Sequence, residues 1–161
     1  MSQINRLGSG SRTDCAKVIN FTYNGKKLQG VAGDTLASAL LANDINLVGR
    51  SFKYARPRGI VGHGAEEPNA IMQIGSGATT VPNLKATQVE LYEGLEAASV
   101  NGWPSVKFDI MAITGWFGRL MPPGFYYKTF MYPAKLWMTY EHFIRKAAGL
   151  GSAPVQNDPD S

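Results

Sequence analysis

The dipeptide Asn24-Gly25 constrains this chain more than any other feature, because it sits between two alternating runs. The tight turn of a two-residue hairpin needs positive φ at its central positions, and Asn-Gly meets that need best. Before it, residues 17–23 place Val18, Asn20 and Thr22 on one face and Ile19, Phe21 and Tyr23 on the other. After it, residues 26–31 read as the return strand. Gly33 and Asp34 then lead into Thr35-Leu36-Ala37-Ser38-Ala39-Leu40-Leu41-Ala42-Asn43. Asp34 or Thr35 is the N-cap, and Leu36, Ala39, Leu40 and Asn43 share a helical stripe. A hairpin followed at once by a short helix predicts a sheet with one face covered.

Further on, residues 70–74 form a short apolar run, and residues 88–92 alternate Val89 and Leu91 against Gln88 and Glu90. Both read as strands. One helix across a small mixed sheet is an α+β pattern rather than a series of βαβ units. The connection between the helix and the first of these strands is about 25 residues long, and structureless connections of that size are usually functional. Asn101-Gly102-Trp103-Pro104 is a breaker, and residues 108–113 can form one or two helical turns. Residues 115–133 hold seven aromatics with three prolines and three glycines, so they are expected to wrap over another surface. In residues 134–148 Leu136, Tyr140, Phe143, Ile144 and Ala147 make one stripe, with Gly149 as the C-cap.

Composition narrows the chemistry. In 161 residues there is one cysteine, Cys15, which excludes an intramolecular disulfide and any all-cysteine cluster. His63 and His142 are the only histidines, too few for a structural zinc site with it. Gly59, Gly62 and Gly64 do not follow a strand, so a dinucleotide-binding reading fails on context. No Ser/His/acid set can be assembled, and no catalytic residue is assigned. There is no apolar run of membrane-spanning length and no apolar leader, so a cytoplasmic setting is expected.

The charge is uneven. Sixteen Lys+Arg face twelve Asp+Glu, and Arg50, Lys53, Arg56 and Arg58 lie within nine residues that hold no acid. Elsewhere the balance is twelve to twelve, so the whole formal excess of +4 lies in this stretch. Phe52 and Tyr54 interleave the cations. Such a loop suits a phosphate group, an acidic protein surface or single-stranded nucleic acid. The plain alternative is a solvated loop whose cations pair with Glu66 and Glu67.

The hairpin and the 33–43 helix resemble the start of plant-type [2Fe–2S] ferredoxins, the β-grasp fold, whose next loop carries the cluster cysteines. Here that loop, 49–70, has none. Gly49-Arg50-Ser51-Phe52-Lys53-Tyr54-Ala55-Arg56-Pro57-Arg58-Gly59-Ile60 and Glu66-Glu67-Pro68-Asn69-Ala70 resemble the α subunits of heterotetrameric sarcosine oxidases. So do Asn101-Gly102-Trp103-Pro104-Ser105 and Gly124-Phe125-Tyr126-Tyr127-Lys128-Thr129-Phe130. Ala55 departs from a histidine expected in that family.

Rich in Ser, Gly and Arg, residues 1–16 are expected to be a flexible arm that orders only on a partner, 101–150 a wrapping segment and helix, and the polar tail 151–161 a linker. The resemblance implies a β-grasp domain over 17–100 and a dinucleotide-binding domain downstream of the linker. It implies oxidative demethylation of sarcosine to glycine, with hydrogen peroxide formed and one carbon passed to tetrahydrofolate. FAD, FMN, NAD and tetrahydrofolate serve the whole complex, with zinc on a small subunit; none is expected to be bound by this segment alone. The partners implied are the rest of the α subunit and the β, γ and δ subunits, with no membrane. Arg50, Lys53, Arg56 and Arg58 are expected to contact FMN phosphate or acids at a subunit boundary. The alternative is a stand-alone basic β-grasp module that binds nucleic acid or an acidic partner.

Overall fold

The computed structural model describes residues 3–9, 12–116, 132–157 and 159. Strands β1 (Asp14–Tyr23) and β2 (Lys26–Ala32) form the hairpin, and Asn24 and Gly25 take φ 48° and 74° as its turn requires. Helix α1 (Leu36–Ala42) follows. Thr35 is its N-cap, accepting from Ser38 N–H at 3.2 Å, while Ser38 Oγ accepts from Thr35 N–H at 3.0 Å. A two-stranded ladder, β3 (Gly49–Arg50) with β4 (Pro57–Arg58), lies inside the long connection. Strands β5 (Ile71–Ile74), β6 (Val81–Lys85) and β7 (Glu96–Ser99) complete the main sheet.

The sheet order is β2-β1-β7-β5-β6, with β1 and β7 parallel at its centre and the other neighbours antiparallel. This is the α+β, β-grasp arrangement the sequence predicts. Of the two alternating faces of β1, the more apolar one turns inward: Ile19, Phe21 and Tyr23 are buried under Leu36, Ala39 and Leu40. Close approach of β2 to α1 requires Gly30, where an added Cβ would stand 2.3 Å from Leu91 Cδ2 and 3.1 Å from Ala39 Cβ.

Residues 88–92 are not a strand, contrary to expectation. Their backbone is committed to the start of α1 instead: Leu36 N–H donates to Val89 O at 2.8 Å and Leu91 N–H to Asp34 O at 2.9 Å. Leu91 is buried, so the alternation reports real packing, but against the helix entrance. The strands that the reading lacks are β6 and β7. Pro82 and a positive φ of 62° at Asn83 mark β6 as an irregular edge strand. In β7, Glu96-Ala97-Ala98-Ser99 has little strand propensity and is held by its two neighbours.

Residues 3–9, expected to order only on a partner, are tied to α1. Asn5 N–H donates to Ala42 O at 3.2 Å, and the Arg6 guanidinium pairs with the carboxylate of Asp34, whose side chain is buried. After β7 a 3₁₀ turn (Ile110–Ala112) leads into α2 (Ile113–Trp116), in line with the one or two turns predicted. A second 3₁₀ turn (Ala134–Leu136) leads into α3 (Trp137–Ala148), closed by Gly149 at φ 76°. Of the predicted stripe Ile144 is buried, whereas Phe143 and Leu136 are exposed. Most of the aromatic segment, residues 117–131, lies outside the described residues. Beyond α3 the chain meets the sheet edge, where Gly151 N–H donates to Asn83 Oδ1 at 3.0 Å. No helix among the described residues is long and apolar enough to cross a membrane.

Candidate functional site

The β3–β4 ladder is the base of the basic loop. Val48 N–H donates to Arg58 O at 3.0 Å and Ser51 N–H to Arg56 O at 2.9 Å. At the tip, Ala55 N–H donates to Ser51 O at 2.8 Å, and Arg56 N–H to Ser51 Oγ at 3.0 Å. Ala55 is buried with φ 48°, the sharpest point of the turn. Serine at position 51 therefore closes the tip from both its backbone and its side chain.

Arg50 fastens this loop to the rest of the fold. Its Nε donates to Val106 O at 2.7 Å, Nη1 to Ala55 O at 2.8 Å and Nη2 to Lys107 O at 3.2 Å. The Asn101 amide does the complementary work on the Arg50 backbone, accepting from its N–H and donating to its carbonyl. Asn101 acts in place of a missing neighbouring strand. The corner after it is tight: a Cβ on Gly102, at φ 89°, would stand 2.8 Å from Val106 Cα. The end of α3 packs on the same corner, since a Cβ on Gly149 would lie 2.7 Å from Val100 O.

The four predicted cations share this loop but differ in what they do. Arg50 is turned inward onto three carbonyls. Lys53 Nζ and Arg56 Cζ lie 4.9 and 4.8 Å from the centre of the Tyr54 ring, within cation–π range. Arg56 and Arg58 are exposed. Arg58 borders a cleft of about 610 Å³ whose walls include Phe52, Val61, Asn69 and Leu150.

The plain alternative, in which the cations pair with Glu66 and Glu67, is not met at Arg50, Arg56 or Arg58 among the described residues. Glu67 is fully buried and accepts from the backbone N–H groups of Val61 at 2.8 Å, Asn69 at 2.7 Å and Ala70 at 3.2 Å, and from that of Gly62. Burial pushes its pKa up, but the four N–H groups, Gly62 foremost, outweigh it and hold the carboxyl below the usual glutamate range. Glu66 accepts from His63 N–H at 2.9 Å and Gly64 N–H at 3.0 Å. The His63 N–H contributes most to bringing its pKa down to about 2. Both acids brace the glycine-rich turn, so the positive field of the loop is left without them. The roles of Asn101 and Glu67 were missed in the sequence; the one available signal was that both lie in the quoted family motifs.

Cys15 is exposed, at the start of β1, and His63 Nδ1 lies 3.2 Å from Glu66. Among the described residues no group of three or more His, Cys, Asp or Glu can hold a metal ion.

A family model described as a 2Fe–2S iron–sulfur cluster binding domain matches residues 16–102. Such clusters are held by four thiolates. The chain has one cysteine, outside the loop that follows α1, and the Arg50 guanidinium spans that loop from within. The donor set does not fit a cluster. The sarcosine oxidase subunit alpha of Rhizobium meliloti is 58% identical over 157 residues, covering 97% of this chain and 16% of that protein. That of a Corynebacterium species (strain U-96) is 38% identical over 109 residues, covering 63% of this chain and 11% of that protein. The chain thus spans about a sixth or less of the curated relatives it matches. L-proline dehydrogenase from P. horikoshii overlaps 56% of this chain and 16% of its own at 24% identity, and its TM-score of 0.42 is too low to bear on the fold.

Proposed function

Because the chain belongs to the 2Fe–2S iron–sulfur cluster binding domain family yet lacks the cluster ligands, we propose that it serves as a noncatalytic β-grasp domain of a sarcosine oxidase alpha subunit. The observation that carries this reading is the match across nearly the whole chain, which includes the loop and corner motifs built around Arg50 and Asn101. In this role the domain contributes to oxidative demethylation of sarcosine to glycine, with release of hydrogen peroxide and one-carbon transfer to tetrahydrofolate. FAD, FMN and NAD belong to the rest of the assembly, together with tetrahydrofolate. The partners are the remainder of the alpha subunit and the beta, gamma and delta subunits, in the cytoplasm.

The domain's part is structural. A loop that holds a cluster in electron-carrying relatives is here refilled by a guanidinium and closed by backbone hydrogen bonds, so it keeps its shape without a metal. Lys53, Arg56 and Arg58 then serve a subunit or cofactor interface, with Arg50 holding the loop in place. The test is sarcosine-dependent oxygen uptake and peroxide release by the full-length protein purified with its companion subunits. Activity with sarcosine is expected. An assembled, flavin-loaded complex that turns over no sarcosine would overturn the reading.

A further inference from the structure

The geometry points to the outer edge of the β3–β4 loop, Arg56 and Arg58, as a docking surface for an acidic face of another polypeptide. This rests on the reading that the chain works within a multisubunit assembly. Three observations select that occupant over a phosphate group or a nucleic acid.

The first is charge. The formal excess of the chain lies in residues 50–58, and the two acids that next follow it in sequence, Glu66 and Glu67, are turned onto backbone N–H groups. Neither Arg56 nor Arg58 takes part in any ion pair among the described residues, which lie at Arg6–Asp34, His63–Glu66 and Arg145–Glu141. Two exposed guanidinium forks are therefore presented for bidentate recognition of carboxylates.

The second is what the loop withholds. A phosphate cradle uses converging backbone N–H groups, yet those of Arg50, Ser51, Ala55 and Arg56 all donate within the fold. Arg50, the cation turned inward, already donates to three carbonyls. Single-stranded nucleic acid stacks its bases on aromatic faces set among the cations, and within this loop the face of Tyr54 is already taken by Lys53 and Arg56.

The third is the setting. Val61, beside Arg58 on the cleft wall, is 74% exposed, and Trp103 on the neighbouring corner is 69% exposed. Arginines among exposed apolar and aromatic side chains make the composition of a protein–protein contact. Charges on the rim of such a contact act mainly through the association rate.

The test uses the full-length protein and its companion subunits. The double variant Arg56→Glu/Arg58→Glu is compared with Arg56→Gln/Arg58→Gln and with Lys26→Glu/Lys27→Glu, two exposed cations on β2. Circular dichroism checks folding, and sedimentation reads assembly. The charge reversal is expected to weaken assembly roughly tenfold or more at low salt, mostly through slower association, with the difference shrinking as salt rises. The glutamine pair should show a smaller loss in the same direction and the β2 pair none. Unchanged assembly of the folded charge-reversal variant overturns the inference, whether bound flavin falls, oligonucleotide retention falls or neither does. Loss of sarcosine turnover in the unmutated complex would instead sink the functional reading and leave this measurement standing.

Discussion

The Asn101 side chain grips the Arg50 backbone at both ends: Oδ1 accepts from Arg50 N–H at 2.9 Å and Nδ2 donates to Arg50 O at 2.8 Å. The two residues are 51 apart in sequence, so this contact joins the basic loop to the corner that follows β7. Removing the amide leaves a half-buried N–H and carbonyl unpaired. Asn101→Ala is expected to cost about 2 kcal/mol in urea denaturation. Amide exchange of residues 50–58 should accelerate more than that of β1. Equal acceleration in both would show that Asn101 supports the sheet rather than the loop.

Glu67 carries a prediction with a pH signature. Its pKa is below the unfolded value, so its contribution to stability is present above about pH 4.5 and is lost as pH falls below that value. Glu66, brought down to about 2, works in the same direction. Glu67→Gln turns one carboxylate oxygen into a donor facing N–H groups, which is expected to cost about 3 kcal/mol at neutral pH. The variant should also lose part of the decline in stability below about pH 4.5 that the parent shows. A parent and variant with parallel profiles would contradict the assigned ionisation.

At Gly30 the prediction concerns packing. A methyl there meets the side chain of Leu91, which is itself buried, and lies 3.2 Å from Asp34 Oδ2. Gly30→Ala is expected to destabilise by about 2 kcal/mol through overpacking. A stabilised variant in thermal unfolding would show that α1 can shift away from β2 at little cost.

Tyr23 offers a titration at the alkaline end. Burial pushes its pKa up to about 12, partly countered by the nearby Asn24 and Ser99 side chains, though neither makes a hydrogen bond of normal geometry with the hydroxyl. The raised value means that stability is intact below pH 10 and falls as pH rises towards 12, because the unfolded chain ionises first. Tyr23→Phe should remove that decline and change stability at pH 7 by less than about 1 kcal/mol. Ultraviolet titration showing Tyr23 ionising near 10 would contradict it.

The elements that could be read from the sequence are those whose determinants are local. The hairpin is written in Asn24-Gly25 and the alternation of residues 17–23, α1 in its capping residues, and α3 in its stripe and Gly149. The ones that escaped are set by neighbours. Strand β7 is a row of small residues that becomes a strand because β1 and β5 flank it, and β6 carries a proline tolerated at an edge. Residues 88–92 mislead because burial against a helix entrance and burial in a sheet leave the same alternation. At the site, the cations were legible as a cluster, but not their division of labour. That depends on Asn101, Val106 and Lys107, about fifty residues away.

The way the sheet ends also restricts how this protein can associate. Two strands lie at its borders, and each is guarded differently. Strand β2 begins with the exposed Lys26 and Lys27, and its Gln29 carbonyl is capped by the Asn43 side chain at 2.7 Å. Strand β6 is kinked at Asn83, and the residues after α3 lie against it through Gly151. Neither border is a bare ladder on which a foreign strand can be laid. Recognition by this domain is therefore left to side chains and surface shape, which can tell one partner from another, rather than to main-chain pairing, which cannot.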